Sequence, residues 1–206
     1  MNSIFDQYYK KYDSWYDKNR YAYLSELEAL KKVIPLQGKG LEIGVGTGRF
    51  AAPLGITIGI DPSMNMIKIA EQRDVIVLIG RGECLPFQNS SYDYIAIIVT
   101  LCFVKDPVNI LNEAMRVLKK NGHIILGIID KNSSWGRYYQ KKKNIFYKQA
   151  NFYDVLWLTD LLKHHGIKNI VYYQTLFHLP TTVNHIEKSQ KGFGKGGFIV
   201  LSGKKQ

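Results

Sequence analysis

The chain is poor in cysteine, with Cys84 and Cys102 the only two in 206 residues. Neither stands in a C-x-x-C pair and each lies in an apolar or glycine-rich run, so neither a disulfide framework nor a metal site is expected. No stretch approaches the ~18 consecutive apolar residues of a membrane helix. Met1 to Lys11 carries Asp6, Gln7 and several tyrosines where a signal peptide needs unbroken apolar sequence. Together these absences predict a cytoplasmic protein without a membrane span. No internal repeat or low-complexity tract is present, and 206 residues are too few for two full domains, so one domain over residues 1–206 is expected. Acidic residues are scarce too, 17 against 28 Lys and Arg, for a formal net charge of +11. Such a balance favours anionic partners without choosing among them. The local concentration at Lys131, Arg137, Lys141, Lys142, Lys143 and Lys148 reads as a solvated face, or as a site for an acidic small molecule or RNA.

From residue 40 onward, β-branched runs alternate with segments of helical period, the pattern of a largely parallel sheet covered by helices on both faces. Seven strands are predicted: Leu41 to Val45, Ile56 to Asp61, Val75 to Gly80, Tyr92 to Thr100, His123 to Asp130, Asn169 to Leu176 and Phe198 to Ser202. Pro107 to Lys120 is a helix on its apolar spacing, with Asp106 as cap and Pro107 at its first position. A second helix is expected from about Phe152 to His165, with Asn151 and Asp154 spaced as a capping pair and Gly166 as terminator. Ahead of the first strand, Ser3 to Val33 reads as a helical cover over residues 1–34, with Tyr12, Trp15, Tyr16 and Tyr23 on one face. Residues 131–150 and 177–196 are too long for tight connections and are candidate lids.

The most informative stretch runs Leu41-Glu42-Ile43-Gly44-Val45-Gly46-Thr47-Gly48-Arg49-Phe50, an apolar strand entering closely spaced glycines. Glycines permit the tight turn and let a ligand approach the backbone. A dinucleotide loop wants a small residue where Arg49 stands, and Glu42 would repel a pyrophosphate while attracting a cationic amino group. No Gly-Lys-Ser/Thr follows, which excludes a P-loop. The next strand ends Gly59-Ile60-Asp61-Pro62-Ser63, placing a carboxylate where it can accept both hydroxyls of a ribose, or else cap the following helix.

With two further stretches, Gly80 to Phe87 and Glu113 to Gly122, the chain resembles the class I S-adenosylmethionine-dependent methyltransferases. The likeness is to the small type-11 domain group that includes ubiquinone and menaquinone biosynthesis enzymes. The resemblance implies an α/β Rossmann-like sheet of seven strands in order 3-2-1-4-5-7-6, the last antiparallel. It implies S-adenosylmethionine as cofactor, S-adenosylhomocysteine as product, and a small-molecule acceptor, with RNA, protein or a non-catalytic binding role as alternatives. Position by position, Glu42, Gly44, Gly46 and Gly48 would hold the methionine part, Asp61 and Pro62 the ribose, and Met64, Gly82 and Glu83 the adenine. Arg81 stands where the family commonly has Asp; a guanidinium has no acceptor for the adenine amine, leaving that role to Glu83. Thr100, and with it Leu101 and Phe103, falls where the family lines the gap between cofactor and acceptor.

Methyl transfer from a sulfonium needs alignment more than a dedicated base. Where a proton must leave, Asp130 is the better-placed candidate, ahead of His123, His178 and His185. Tyr12 and Tyr16 are candidates to face the cofactor or acceptor, because aromatic faces suit a sulfonium cation.

Overall fold

The computed structural model describes residues 4–142 and 144–206; Met1, Asn2, Ser3 and Lys143 lie outside the described residues. The elements run α1 (Ile4–Gln7), α2 (Tyr9–Lys18), α3 (Arg20–Leu30), β1 (Gly40–Ile43), α4 (Ala51–Leu54), β2 (Ile58–Asp61), α5 (Met64–Glu71), β3 (Ile76–Ile79) and β4 (Tyr92–Ile98). They continue α6 (Pro107–Val117), β5 (Leu118–Ile129), α7 (Ser134–Lys141), α8 (Val155–His164), β6 (Ile167–Thr175), β7 (Gln190–Lys191) and β8 (Phe198–Lys205).

The strands form one sheet in order β3-β2-β1-β4-β5-β8-β6-β7. β3, β2, β1, β4 and β5 pair in parallel, whereas β8 lies antiparallel between β5 and β6. This is the expected α/β order with one addition, the two-residue β7 at the edge beyond β6. Alternation along β4 divides its side chains between two cores, Tyr94, Ala96 and Ile98 on one face and Ile95 and Ile97 on the other. The first face is covered by α2, α3, α4 and α7, the second by α6 and α8.

Local chemistry explains the boundaries. Asp106 caps α6, its Oδ1 accepting from the Asn109 amide at 3.0 Å, and Pro107 occupies the first turn. α8 starts later than expected: Asp154 alone is its cap, accepting from Trp157 N at 2.8 Å, and Asn151 plays no part in it. The expected single N-terminal helix breaks into three, with Tyr8 and Asn19 at the junctions in non-helical conformation. α6 gives way at Leu118, which turns to extended geometry three residues before the sequence predicts.

Candidate functional site

Gly44, Gly46 and Gly48 all take left-handed conformation, with φ of +74°, +53° and +75°. Gly44 is also sterically fixed, since a Cβ there would lie 2.3 Å from Thr100 Cγ2. The turn is wired to the end of β2: Gly44 N and Val45 N donate to Ile60 O at 2.8 and 3.1 Å. Asp61 completes the wiring, its Oδ2 accepting from Gly46 N at 2.9 Å and its Oδ1 from Ser63 N at 2.8 Å. Burial raises the Asp61 carboxyl to about 6 against the opposing pull of these two amides. Ser63, not Asp61, caps α5.

The N-terminal helices hold this turn from outside. Arg49 grips Asp13 through Nε and Nη2 (2.9 and 2.7 Å) and Asp17 through Nη1 and Nη2 (2.8 and 2.7 Å). Arg73 Nη2 at 3.0 Å and Thr47 Oγ1 at 2.7 Å reach the same Asp13 carboxylate. Burial pushes Asp13 upward, but the bonds from Arg49, Arg73 and Thr47 outweigh it and hold it well below the ordinary carboxylate range. The residue that spoils a dinucleotide loop is therefore the anchor of the α2 cover. Asp6 of α1 docks similarly, accepting from Ser63 Oγ at 2.8 Å and Asn65 N at 3.0 Å.

A cavity of about 520 Å³ opens between this cover and the carboxyl ends of β1, β2 and β4. In an open parallel sheet that crevice, where strand order reverses between β1 and β4, is the position for a ligand. Of the expected site residues, Gly44, Gly46, Asp61, Pro62, Met64, Gly82, Glu83, Thr100, Tyr12 and Phe103 line it. Arg81 lies on the same wall and pairs with Glu83 Oε1 at 3.2 Å. Glu42, Gly48 and Leu101 do not line it. Glu42 is 1% exposed behind the glycine turn, where burial and the nearby Asp61 raise its carboxyl despite an Ala51 amide bond.

A second cavity of about 130 Å³ adjoins the first, and Tyr12, Val99 and Phe103 line both. Its walls are aromatic: Trp15 and Tyr16 from α2, Tyr139 from α7, then Phe146, Tyr147 and Phe152. Residues 131–150 thus furnish one wall, whereas no residue of 177–196 lines either cavity. That second segment is tied to α3 instead, with Glu187 N bonded to Ser25 Oγ and Ser189 N to Glu28 Oε2, each at 2.8 Å. Asp130 is absent from both cavities as well; its carboxylate accepts from the amides of Asn132 and Val155, and burial raises it. It organises the β5–α7 turn and the start of α8. His123, His178 and His185 also lie away from both cavities.

Sequence reasoning missed Val99 and Glu26. Val99 has φ of +50°, a costly conformation for a β-branched residue, at the partition between the cavities. Glu26 is 3% exposed and lines the smaller cavity. Its helical spacing gave no sign of either feature. The chain-wide clamp on the third motif was hidden too: Glu113 Oε2 accepts from Leu85 N at 2.7 Å, and Arg116 donates to Phe87 O and Leu85 O at 2.7 and 2.9 Å.

The methyltransferase domain family matches residues 41–126. A crystal structure from Thermotoga maritima, described as a SAM-dependent methyltransferase and possible histamine N-methyltransferase, is 45% identical, with a TM-score of 0.96 and 100% coverage of both chains. The chain belongs to the class I S-adenosylmethionine-dependent methyltransferases. An uncharacterized protein of Methanocaldococcus jannaschii is 47% identical over 98% of this chain and 99% of its own. A demethylmenaquinone methyltransferase of Bacillus licheniformis is more distant, 28% identical over 61% of this chain and 54% of its own. The fold also recurs at 14% identity and a TM-score of 0.74, over 99% of this chain and 98% of the other, in a methyltransferase complexed with the Haloferax volcanii Trm112 activator. S-adenosylmethionine is accordingly the methyl donor. Among the described residues no helix is long and apolar enough to cross a membrane.

Proposed function

We propose that the enzyme methylates a small molecule, with the nucleoside donor in the larger cavity and the acceptor in the smaller. The observation that carries this reading is the junction of the two cavities at Tyr12, Val99 and Phe103. The larger cavity fits the donor: a Cβ-free turn at Gly44 and Gly46, the Asp61 carboxylate for the ribose, and Met64, Gly82 and Glu83 for the adenine. When bound, the donor supplies a sulfonium methyl, whose carbon–sulfur electron pair returns to sulfur as an acceptor lone pair forms the new bond.

The chain's own part is to bind, orient and exclude water. Tyr12 bonds Tyr16 through their hydroxyls at 2.8 Å, and burial keeps both phenols protonated, so neutral aromatic faces border the junction. Phe5 packs edge-on against Tyr12 and Phe103, with centroids at 5.5 and 4.8 Å, closing the cover over it. Holding the acceptor in line there supplies the acceleration without a dedicated base. A small acceptor suits a cavity of about 130 Å³ walled by aromatic rings better than RNA or protein does. The exposed Lys131, Arg137, Lys141, Lys142 and Lys148 lie outside that wall. The histamine description carried by the Thermotoga maritima relative favours the same size class.

The test is incubation of the protein with labelled S-adenosylmethionine and separate pools of small metabolites, RNA and protein, followed by mass spectrometry of the labelled product. Label in the small-molecule pool is expected; label confined to RNA or protein would overturn the assignment.

A further inference from the structure

Glu26 is the one formally negative group lining the smaller cavity among the described residues, and Lys11 is the one formally positive group. Its Oε2 is buried without a hydrogen-bond partner. Buried carboxylates are normally satisfied, and its neighbours follow that rule. Glu28, two residues along α3, holds the Ser189 amide and Lys32, and Glu187 holds the amide and ring of His178. Glu42 has a partnerless oxygen too, but it receives the Ala51 amide and lines neither cavity. Among the described residues of these cavities, Glu26 alone combines full burial with an acceptor oxygen waiting on a cavity wall.

Resting on the donor assignment above, we infer that the smaller cavity binds a small molecule with a basic nitrogen, an amine or azole, whose N–H is received by the Glu26 carboxyl. The surrounding rings complete the recognition. Trp15, Tyr16, Tyr139 and Tyr147 offer π faces that attract a cationic nitrogen and stack on a flat ring. Burial alone raises the Glu26 carboxyl to about 8, so the empty pocket keeps its proton and a basic ligand is what draws it into the ionised form. An anionic acceptor meets the opposite situation, with Glu26 on the floor and Lys11 alone to receive it. Glu26 is thus an acceptor-binding residue, set on a helix that sequence alone reads as cover.

The experiment is calorimetric titration of the full chain, saturated with S-adenosylhomocysteine, with 2-phenylethylamine, histamine and the neutral 2-phenylethanol, on native protein and Glu26→Gln. The amines are expected to bind at least about tenfold more tightly than the alcohol. That advantage should vanish in Glu26→Gln, while its affinity for S-adenosylhomocysteine and for the alcohol stays within about twofold, so that a folding defect is excluded. Equal binding of amine and alcohol, undiminished amine binding in Glu26→Gln, or no amine binding to a protein that does bind S-adenosylhomocysteine would overturn the inference and leave the donor site standing. Failure of S-adenosylhomocysteine to bind overturns the donor assignment, and this inference with it.

Discussion

Replacing Gly44 by alanine perturbs the glycine turn at a single atom, and the structure sets the size of the effect. The φ of +74° is left-handed, which costs an L-residue about 1–2 kcal/mol. The new methyl would lie 2.3 Å from Thr100 Cγ2 and 2.5 Å from its Oγ1, a conflict between the ends of β1 and β4 that neither strand can relieve by sliding. Overpacking of this kind adds about 1–3 kcal/mol, so Gly44→Ala should lose about 2–5 kcal/mol in all. The two parts separate in a double-mutant cycle. Thr100→Gly removes the three atoms nearest the methyl, so Gly44→Ala in that background should fall back toward the conformational cost of about 1–2 kcal/mol. Urea denaturation gives each difference from midpoints at constant slope. A Gly44→Ala protein within about 0.5 kcal/mol of native would refute the reasoning, and so would a loss that Thr100→Gly leaves unchanged.

Three further outcomes follow from the same structure. Asp13→Ala should lower stability by about 2 kcal/mol, because Arg49 and Arg73 lose a shared, largely buried partner, and should weaken S-adenosylhomocysteine binding by calorimetry because Tyr12 rides on the same helix. The Asp13 carboxyl is held below its ordinary value, so its contribution is complete above pH ~3.8 and is lost only as pH falls through its lower folded value. Glu26 has the opposite sign: its folded value near 8 lies above the ordinary 4.5, so the folded chain keeps a proton that the unfolded chain releases. Glu26 should contribute a fall of about 1.4 kcal/mol per pH unit as pH rises through that window, so Glu26→Gln should be less steeply pH-dependent than the native protein by that amount, read from denaturation midpoints at about pH 5 and pH 8. Arg116→Ala should cost about 1–3 kcal/mol and quicken hydrogen exchange at Leu85, since it frees the Leu85 and Phe87 carbonyls and unpairs Glu113.

What the sequence makes legible is whatever rests on short-range rules. The apolar runs of β1 to β5, the cap at Asp106, the tight turn at Gly44, Gly46 and Gly48, and the carboxylate at Asp61 each follow from residue type and spacing, whereas the cap of α5 falls to Ser63 and not to Asp61. β7 does not, because Gln190 and Lys191 are polar and gain strand geometry only by pairing with Tyr173 and Gln174. The smaller cavity is equally hidden, since Trp15, Val99, Tyr139 and Phe152 meet only once the sheet is assembled. Asp130 shows the converse: its place at a strand end suggested chemistry, but its carboxylate lines neither cavity and holds the Asn132 and Val155 amides instead. Arg49 was legible as an exclusion of dinucleotides and not as the clamp that holds α2, because Asp13 and Asp17 lie more than thirty residues away in the chain.

The most direct test of the two-cavity account is a crystal structure of the protein with S-adenosylhomocysteine. The account predicts ribose hydroxyls on Asp61, the amino acid end along Gly44 and Gly46, and the sulfur at the junction bordered by Tyr12, Val99 and Phe103, facing the aromatic cavity. A nucleoside bound elsewhere, or one whose sulfur points away from that junction, would contradict it.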